Sequence, residues 1–318
     1  MTENPFGTCD AVTVTVLVDN FIDMLMPDAP DMRRVGMPEH FAPRRGTPLA
    51  ENGISFLLRV EHGHRETTVL FDAGISALAL RHNAEVLGID LTTVDQVVIS
   101  HGHPDHFGGI YGALEAIGRP VPVTAHPHAF RPRMITRADA VLPYFNRDLT
   151  ESAVHDAGGR LVLVRDPIPV APGVCTSGEI ETTVDFEHEV PSGRLCICDG
   201  RLEPDPIDDY LTLILNVKGL GLVLLDPCGH AGVVSATRHA QRLTGVDRVH
   251  ALMGGFHLGH PGISQEKIDS TAAELQKLSP ALVSPMHCSG FRAQRAVAEV
   301  LPDAFRQMAV GTRLEFRA

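Results

Sequence analysis

The chain has 318 residues, 44% of them hydrophobic and 21% charged, a balance that excludes general disorder and suits a globular protein with a substantial core. Its 27 Lys+Arg against 39 Asp+Glu give a formal charge of -12 at pH 7, which repels a phosphate backbone and leaves a small molecule, not nucleic acid, as the expected partner. Histidine, the commonest metal ligand and proton shuttle, occurs 17 times, so where it clusters decides the reading.

Residues 11–18 (AVTVTVLV) predict a strand, and the segment before it has neither a basic n-region nor an apolar h-region, so a cytoplasmic protein is expected. The stretch 24–52, rich in Pro, Met and Arg and without a sustained period, predicts a long loop, a candidate lid or oligomer contact. ISFLLRV (54–60) and TTVLFDAG (67–74) predict a hairpin, 77–87 a helix, and 95–100 a short apolar strand running into His101. A helix over 108–117, a strand over 120–125, a helix over 148–157 and a strand over 160–164 follow. Asp148 and Glu151 stand in capping-box spacing, with Gly158 as the stop. LTLILNV (211–217) and GLVLLD (221–226) predict a second hairpin. The last third then alternates: helix 231–243, strand 249–253, helix 265–278, strand 281–285, helix 292–300, strand 313–316. A hairpin leading each half, with β/α alternation behind it, predicts an α/β protein of mixed sheets and outer helices. No run approaches the ~20 apolar residues of a membrane span, and no membrane partner is expected. Cys9, Cys175, Cys196, Cys198, Cys228 and Cys288 are scattered over a long chain and predict reduced thiols rather than a disulfide framework. Homo-oligomerisation stays open.

The strongest signal is Ser100-His101-Gly102-His103-Pro104-Asp105-His106-Phe107-Gly108-Gly109. Three imidazoles and a carboxylate within six residues, on a loop that a strand feeds and glycines bend, predict a metal site. His101 and His103 can converge on one ion while Asp105 and His106 point to a second, roughly 3.5–4 Å away as in two-metal hydrolytic sites. His257, in Gly254-Gly255-Phe256-His257, ends another strand; it predicts a substrate-facing proton donor or an additional ligand. His126 and His128 follow a third strand with a weaker signal. His62, His64, His188 and His239 read as surface residues, and Cys196-x-Cys198 lacks the second pair that a structural zinc site needs.

HGHPDH resembles the His-x-His-x-Asp-His signature of the metallo-β-lactamase superfamily. The resemblance runs over roughly 11–318. VTVLVDN, ENGISFLL, VLFDAG, CGHAG, GGFHL and MHCSG narrow it to a subgroup of 7,8-dihydropterin-6-methyl-4-(ribofuranosyl)aminobenzene 5'-phosphate synthases and related metal-dependent hydrolases. It implies one domain over 1–318 with a four-layer αββα sandwich and a metal centre at one edge, holding two divalent ions, zinc first, with manganese or iron also accepted by such a shell. It implies His287 as the final histidine ligand and His230, in the subgroup's Cys-x-His motif, as a further one. Asp226 is the alternative as ligand or bridge, and Cys228 is a small buried neighbour, a ligand or a reactive thiol. Asp72, in Phe71-Asp72-Ala73-Gly74, matches a turn behind the ligands, where a carboxylate fixes a ligand imidazole's tautomer. The chain departs from the wider superfamily in having Ser177-Gly178-Glu179-Ile180 where a Pro-Gly-His turn usually supplies a ligand.

The expected activity is therefore that of a metal-dependent hydrolase of a small organic substrate, using metal-bound hydroxide, with Asp105 and His257 as catalytic residues. No Gly-x-Ser-x-Gly elbow offers a protein nucleophile. The alternative is a synthase joining a pterin-like and a ribosyl-aminobenzene phosphate-like substrate, the metal acting as Lewis acid. The arginines Arg33, Arg34, Arg44, Arg45, Arg131 and Arg133 are the candidates for holding a phosphate.

Overall fold

The β-branched run Ala11–Val18 suits the middle of a sheet, and in the computed structural model, which describes residues 5–36, 46–138, 140–145, 149–188 and 193–318, it lies there. The eight strands of that sheet run in the order Met32–Arg33, Arg313–Arg317, Ala11–Val18, Ser55–His62, Arg65–Phe71, Gln96–Val98, Val121–Ala125 and Gly159–Leu163. Pairing is antiparallel as far as Arg65–Phe71 and parallel beyond it. A second sheet orders Pro169–Ala171, Val174–Thr176, Leu213–Val217, Gly221–Asp226, Val249–Gly255 and Leu282–Met286, antiparallel as far as Gly221–Asp226 and parallel beyond. Each half thus repeats one plan. A hairpin whose second strand runs into an aspartate, Asp72 or Asp226, is followed by parallel strands that end in histidine-bearing loops.

Strand alternation sorts the side chains into layers. Val12, Val14, Val16, Phe56, Leu58 and Phe71 of the first sheet meet Leu213, Leu215, Val223, Leu225 and Met253 of the second in one buried cluster. Leu17, Leu57, Leu70 and Val97 face the other way, onto Leu80, Leu114 and Val154 of the helices Ala77–Val86, Ile110–Ile117 and Glu151–Asp156. Ile214, Leu224 and Leu252 likewise pack on Val234, Leu275 and Val297 of Val233–Thr244, Gln265–Leu278 and Gly290–Val300. This is the expected αββα sandwich, and each fully buried aliphatic or aromatic side chain in it contributes roughly 1.5–3 kcal/mol.

A third sheet was not foreseen. Arg201–Pro204, Arg194–Cys198, Arg133–Arg137 and Ala140–Pro143 form an antiparallel sheet of two hairpins joined edge to edge, whose strands are largely exposed and carry no clean alternation. The hairpin of Pro169–Ala171 with Val174–Thr176 was also missed. The loop expected over 24–52 contains the edge strand Met32–Arg33, paired to Arg313 and Leu314. The helix expected over 148–157 runs Glu151–Asp156, capped by Thr150, whose hydroxyl accepts from Ala153 N; Asp148 lies outside the described residues. The helix expected over 108–117 runs Ile110–Ile117, and a separate short helix, Pro104–Phe107, precedes it within the histidine loop. All six cysteines are free. Among the described residues no helix is long and apolar enough to cross a membrane.

Candidate metal centre

Gln96–Val98 is sandwiched between parallel neighbours, so the loop leaving its C-terminal end emerges where the loops of adjacent strands converge. Its backbone is pinned on both sides. Gly102 N donates to Asp209 Oδ2 at 2.7 Å, Ile54 N to the Asp105 carbonyl at 3.1 Å and Ala73 N to the His106 carbonyl at 2.6 Å. A Cβ on Gly102 would collide with the Ala129 carbonyl and the Arg133 guanidinium, so only glycine lets the loop pass this close.

The hydrogen bonds behind the ligands fix their tautomers. A carboxylate only accepts, so His106 Nδ1, 2.7 Å from Asp72 Oδ2, carries the proton and leaves Nε2 its lone pair. The Ser100 hydroxyl donates to the same Asp72 oxygen at 2.7 Å, so at 2.9 Å it accepts from His101 Nδ1, which frees His101 Nε2. Asp72 therefore acts on two rings, one directly and one through Ser100, as expected of a carboxylate behind a metal site. His101 Nε2 lies 3.0 Å from His103 Nδ1, and His103 Nε2 faces Asp205 Oδ2 at 3.9 Å.

Two triads of donors result: His101, His103 and His230 form one, and Asp105, His106 and His287 the other. His230 follows Gly221–Asp226 and His287 follows Leu282–Met286, so both sheets contribute. His287 Nε2 is 3.3 Å from Asp105 Oδ2. Burial, reinforced by neighbouring imidazoles, holds His101 and His230 well below the usual histidine value, and burial takes His103 down to about 4. These rings are neutral near pH 7, as metal ligation requires. Burial works against the Asp105 carboxylate, yet His106, His287 and His103 hold it well below its usual range. Burial also opposes charge on His287, but Cys288, Asp105 and Asp19 lift it to about 9, so this ring would release a proton on binding a cation. Asp72, His257 and His287 all adopt positive φ (58°, 51° and 46°), a strained conformation that is concentrated here at three of the residues lining the centre.

These residues fit a metal. His106 Nε2, His230 Nε2 and His287 Nδ1 are buried without a hydrogen-bond partner, each at a cost of roughly 1–3 kcal/mol that a cation would remove. The donor set of imidazole and carboxylate is that of zinc and its neighbours.

The remaining expected residues divide. Asp226 is in neither triad: its Oδ1 accepts from the hydroxyls of Tyr210 and, at 3.2 Å, Thr212, and burial lifts its pKa to about 7. Cys228 Sγ is 3.6 Å from His257 Nδ1 and 3.4 Å from Cys288 Sγ. His257 packs against His230 with ring centroids 4.3 Å apart and the rings tilted by 49°, and the two line a cavity of about 350 Å³ whose walls include Phe256, Leu258, Ile263 and Lys267. Glu179, in place of the Pro-Gly-His ligand, pairs with Arg165 at 2.6 Å and His126 at 2.9 Å, and His128 pairs with Asp208. Asp226, Glu179, His126 and His128 join no donor group, whereas Cys228 and His257 lie within donor distance of triad members. His239 corrects the surface reading: it is half-buried and bonded to the Ser177 carbonyl.

The arginines expected to hold a phosphate are engaged elsewhere. Arg133 is buried against Asp205 and Asp209, both at 2.7 Å, and Arg131 pairs with Asp208. Arg33 and Arg34 bond to Asp28, Ala29, Pro27, Gln307 and Thr312. Arg44 and Arg45 lie outside the described residues. The arginine at the centre is Arg194, which the sequence reading missed. It lies over the Tyr144 ring at 5.5 Å, Tyr144 packs on His103 with centroids 5.4 Å apart, and the guanidinium charge reaches His103, His230 and Cys228. Ser100, Asp205, Asp209 and Tyr210 were missed as well; the polar run Asp205-Pro206-Ile207-Asp208-Asp209-Tyr210 was the visible signal.

Comparisons with known proteins bear on the fold and the family. The family model of the metallo-β-lactamase superfamily matches residues 51–181. The chain is 32% identical over 283 residues to a 7,8-dihydropterin-6-methyl-4-(β-D-ribofuranosyl)-aminobenzene-5'-phosphate synthase of Methanocaldococcus jannaschii, covering 88% of this chain and 95% of that protein. An uncharacterised protein of the same organism is 26% identical over 252 residues, 79% of this chain and 89% of its own. A crystal structure described as a metal-dependent hydrolase of the β-lactamase superfamily superposes with a TM-score of 0.71 at 23% identity, over 96% of this chain and all of that one.

Proposed function

The chain belongs to the metallo-β-lactamase superfamily, and from that premise we propose that it is a hydrolase of a small organic molecule, working with two divalent ions, zinc first, at His101, His103 and His230 and at Asp105, His106 and His287. The observation that carries the reading is the pair of donor triads, with the lone pairs of His106 and His101 turned inward by Asp72 and Ser100. Such ions bring a water molecule's pKa toward neutrality and polarise the bond under attack. The chain's own residues supply the rest. Phe256, Leu258 and Ile263 line the adjoining cavity and shed water from it, and His257 at its wall is placed to hand a proton to the leaving group. Arg194 gives an anionic substituent a partner. The net charge of -12 favours a small molecule over nucleic acid as partner.

The relationship to the archaeal synthase favours a second reading, in which the same centre joins a pterin-like and a ribosyl-aminobenzene phosphate-like substrate, with Arg194 at the phosphate. The deciding experiment incubates metal-loaded and chelated protein with esters, lactones and phosphodiesters, then with the pterin and aminobenzene pair, and reads products by mass spectrometry. Metal-dependent cleavage of a single substrate supports hydrolysis. A joined product without cleavage moves the assignment to the synthase, and no turnover by fully loaded protein overturns both.

A further inference from the structure

Cys228 stands where the two triads meet. Its Sγ belongs to three donor groups whose ligand atoms all lie within 4.8 Å of one another: with His101 and His106, with His230 and His257, and with His287 and Cys288. It thus reaches two members of the first triad, His101 and His230, and two of the second, His106 and His287. Among the described residues no other donor does so. The side chain is buried, 2% exposed.

The neighbouring structure explains why the sulfur and not a carboxylate occupies this place. Asp226, two residues earlier at the strand end, is drawn back by the Tyr210 and Thr212 hydroxyls and joins no donor group. The Tyr210 oxygen also accepts from Cys228 N at 2.8 Å and Gly229 N at 2.7 Å. Asp226 and Tyr210 therefore brace the turn from behind, and the turn presents Cys228 to the gap between the triads. We infer that Cys228 is a metal ligand shared by both ions, its thiolate taking the bridging place that Asp226 leaves unfilled. Binding replaces the thiol proton, which passes to solvent. A thiolate at the shared position favours zinc, iron or cobalt over manganese or magnesium.

The inference rests on the two-metal reading, and spectroscopy separates the two. The full chain loaded with cobalt(II) is expected to show an intense near-ultraviolet thiolate-to-cobalt band that Cys288→Ser keeps and Cys228→Ser loses. Cadmium NMR of the unaltered protein, which needs no variant to fold, is expected to show two resonances, both displaced toward the sulfur-ligated range. A band that survives Cys228→Ser, two bound cobalt ions with no thiolate band, or only one displaced cadmium resonance would overturn the inference and leave the two-metal reading standing. A protein that binds neither metal would overturn both.

Discussion

The Asp72 carboxylate accepts a hydrogen bond from the Nδ1–H of His106 at 2.7 Å, and this contact decides which nitrogen of the ring faces the donor cluster. The same oxygen holds Ser100, and through it His101. Asp72→Ala is therefore expected to weaken metal binding by about 10–100-fold while the fold persists. Competition against a chromophoric chelator measures it, and an unchanged affinity would remove Asp72 from the account.

Arg133 neutralises two buried carboxylates, Asp205 and Asp209. Arg133→Met should cost roughly 3–5 kcal/mol at pH 7, because both partners stay buried without their cation. Burial opposes the charge on Asp205, but His103 and Arg133 hold its pKa below the ordinary 3.8. A depressed carboxyl gives stability that is present above 3.8 and lost as the pH falls through the folded value. Thermal midpoints followed across that range should fall less steeply in Arg133→Met than in the unaltered chain; parallel curves would contradict the pairing.

The Arg194 charge reaches His103 and His230, and unlike Arg133 it is not held between two buried carboxylates. Arg194→Met should raise KM for phosphate- or carboxylate-bearing substrates by about ten- to a hundredfold, since a charge-assisted hydrogen bond contributes roughly 1.5–3 kcal/mol. Neutral substrates should be unaffected. Equal losses on both classes would show a general packing role instead.

His257 borders both the cavity and His230. As a proton donor it should be worth about 10²–10⁴ in kcat, with metal content unchanged in His257→Ala. Loss of metal in that variant would make it a ligand.

The part of the site held in one short segment was legible from the sequence. His101, His103, Asp105 and His106 lie on a single loop, and His230, His257 and His287 each end a buried apolar strand, a pattern visible without coordinates. Arg133 and its carboxylates were not legible as a unit, because the pairs close across 72 and 76 residues and Arg133 sits on an exposed sheet of two joined hairpins with no periodic signature. Arg194 and Tyr144 belong to the same sheet region and were hidden for the same reason. The position of Cys228 depends on Tyr210 bracing its turn, which sequence spacing does not encode. The shared plan of the two halves is carried by strand direction and not by side-chain identity, so no repeat was visible.

Elemental analysis of the purified, reconstituted chain reads whether the two triads hold two ions. Close to two transition-metal ions per chain are expected, falling toward one in His230→Ala and in His287→Ala separately; a reconstituted protein without stoichiometric metal would leave both triads without their proposed role.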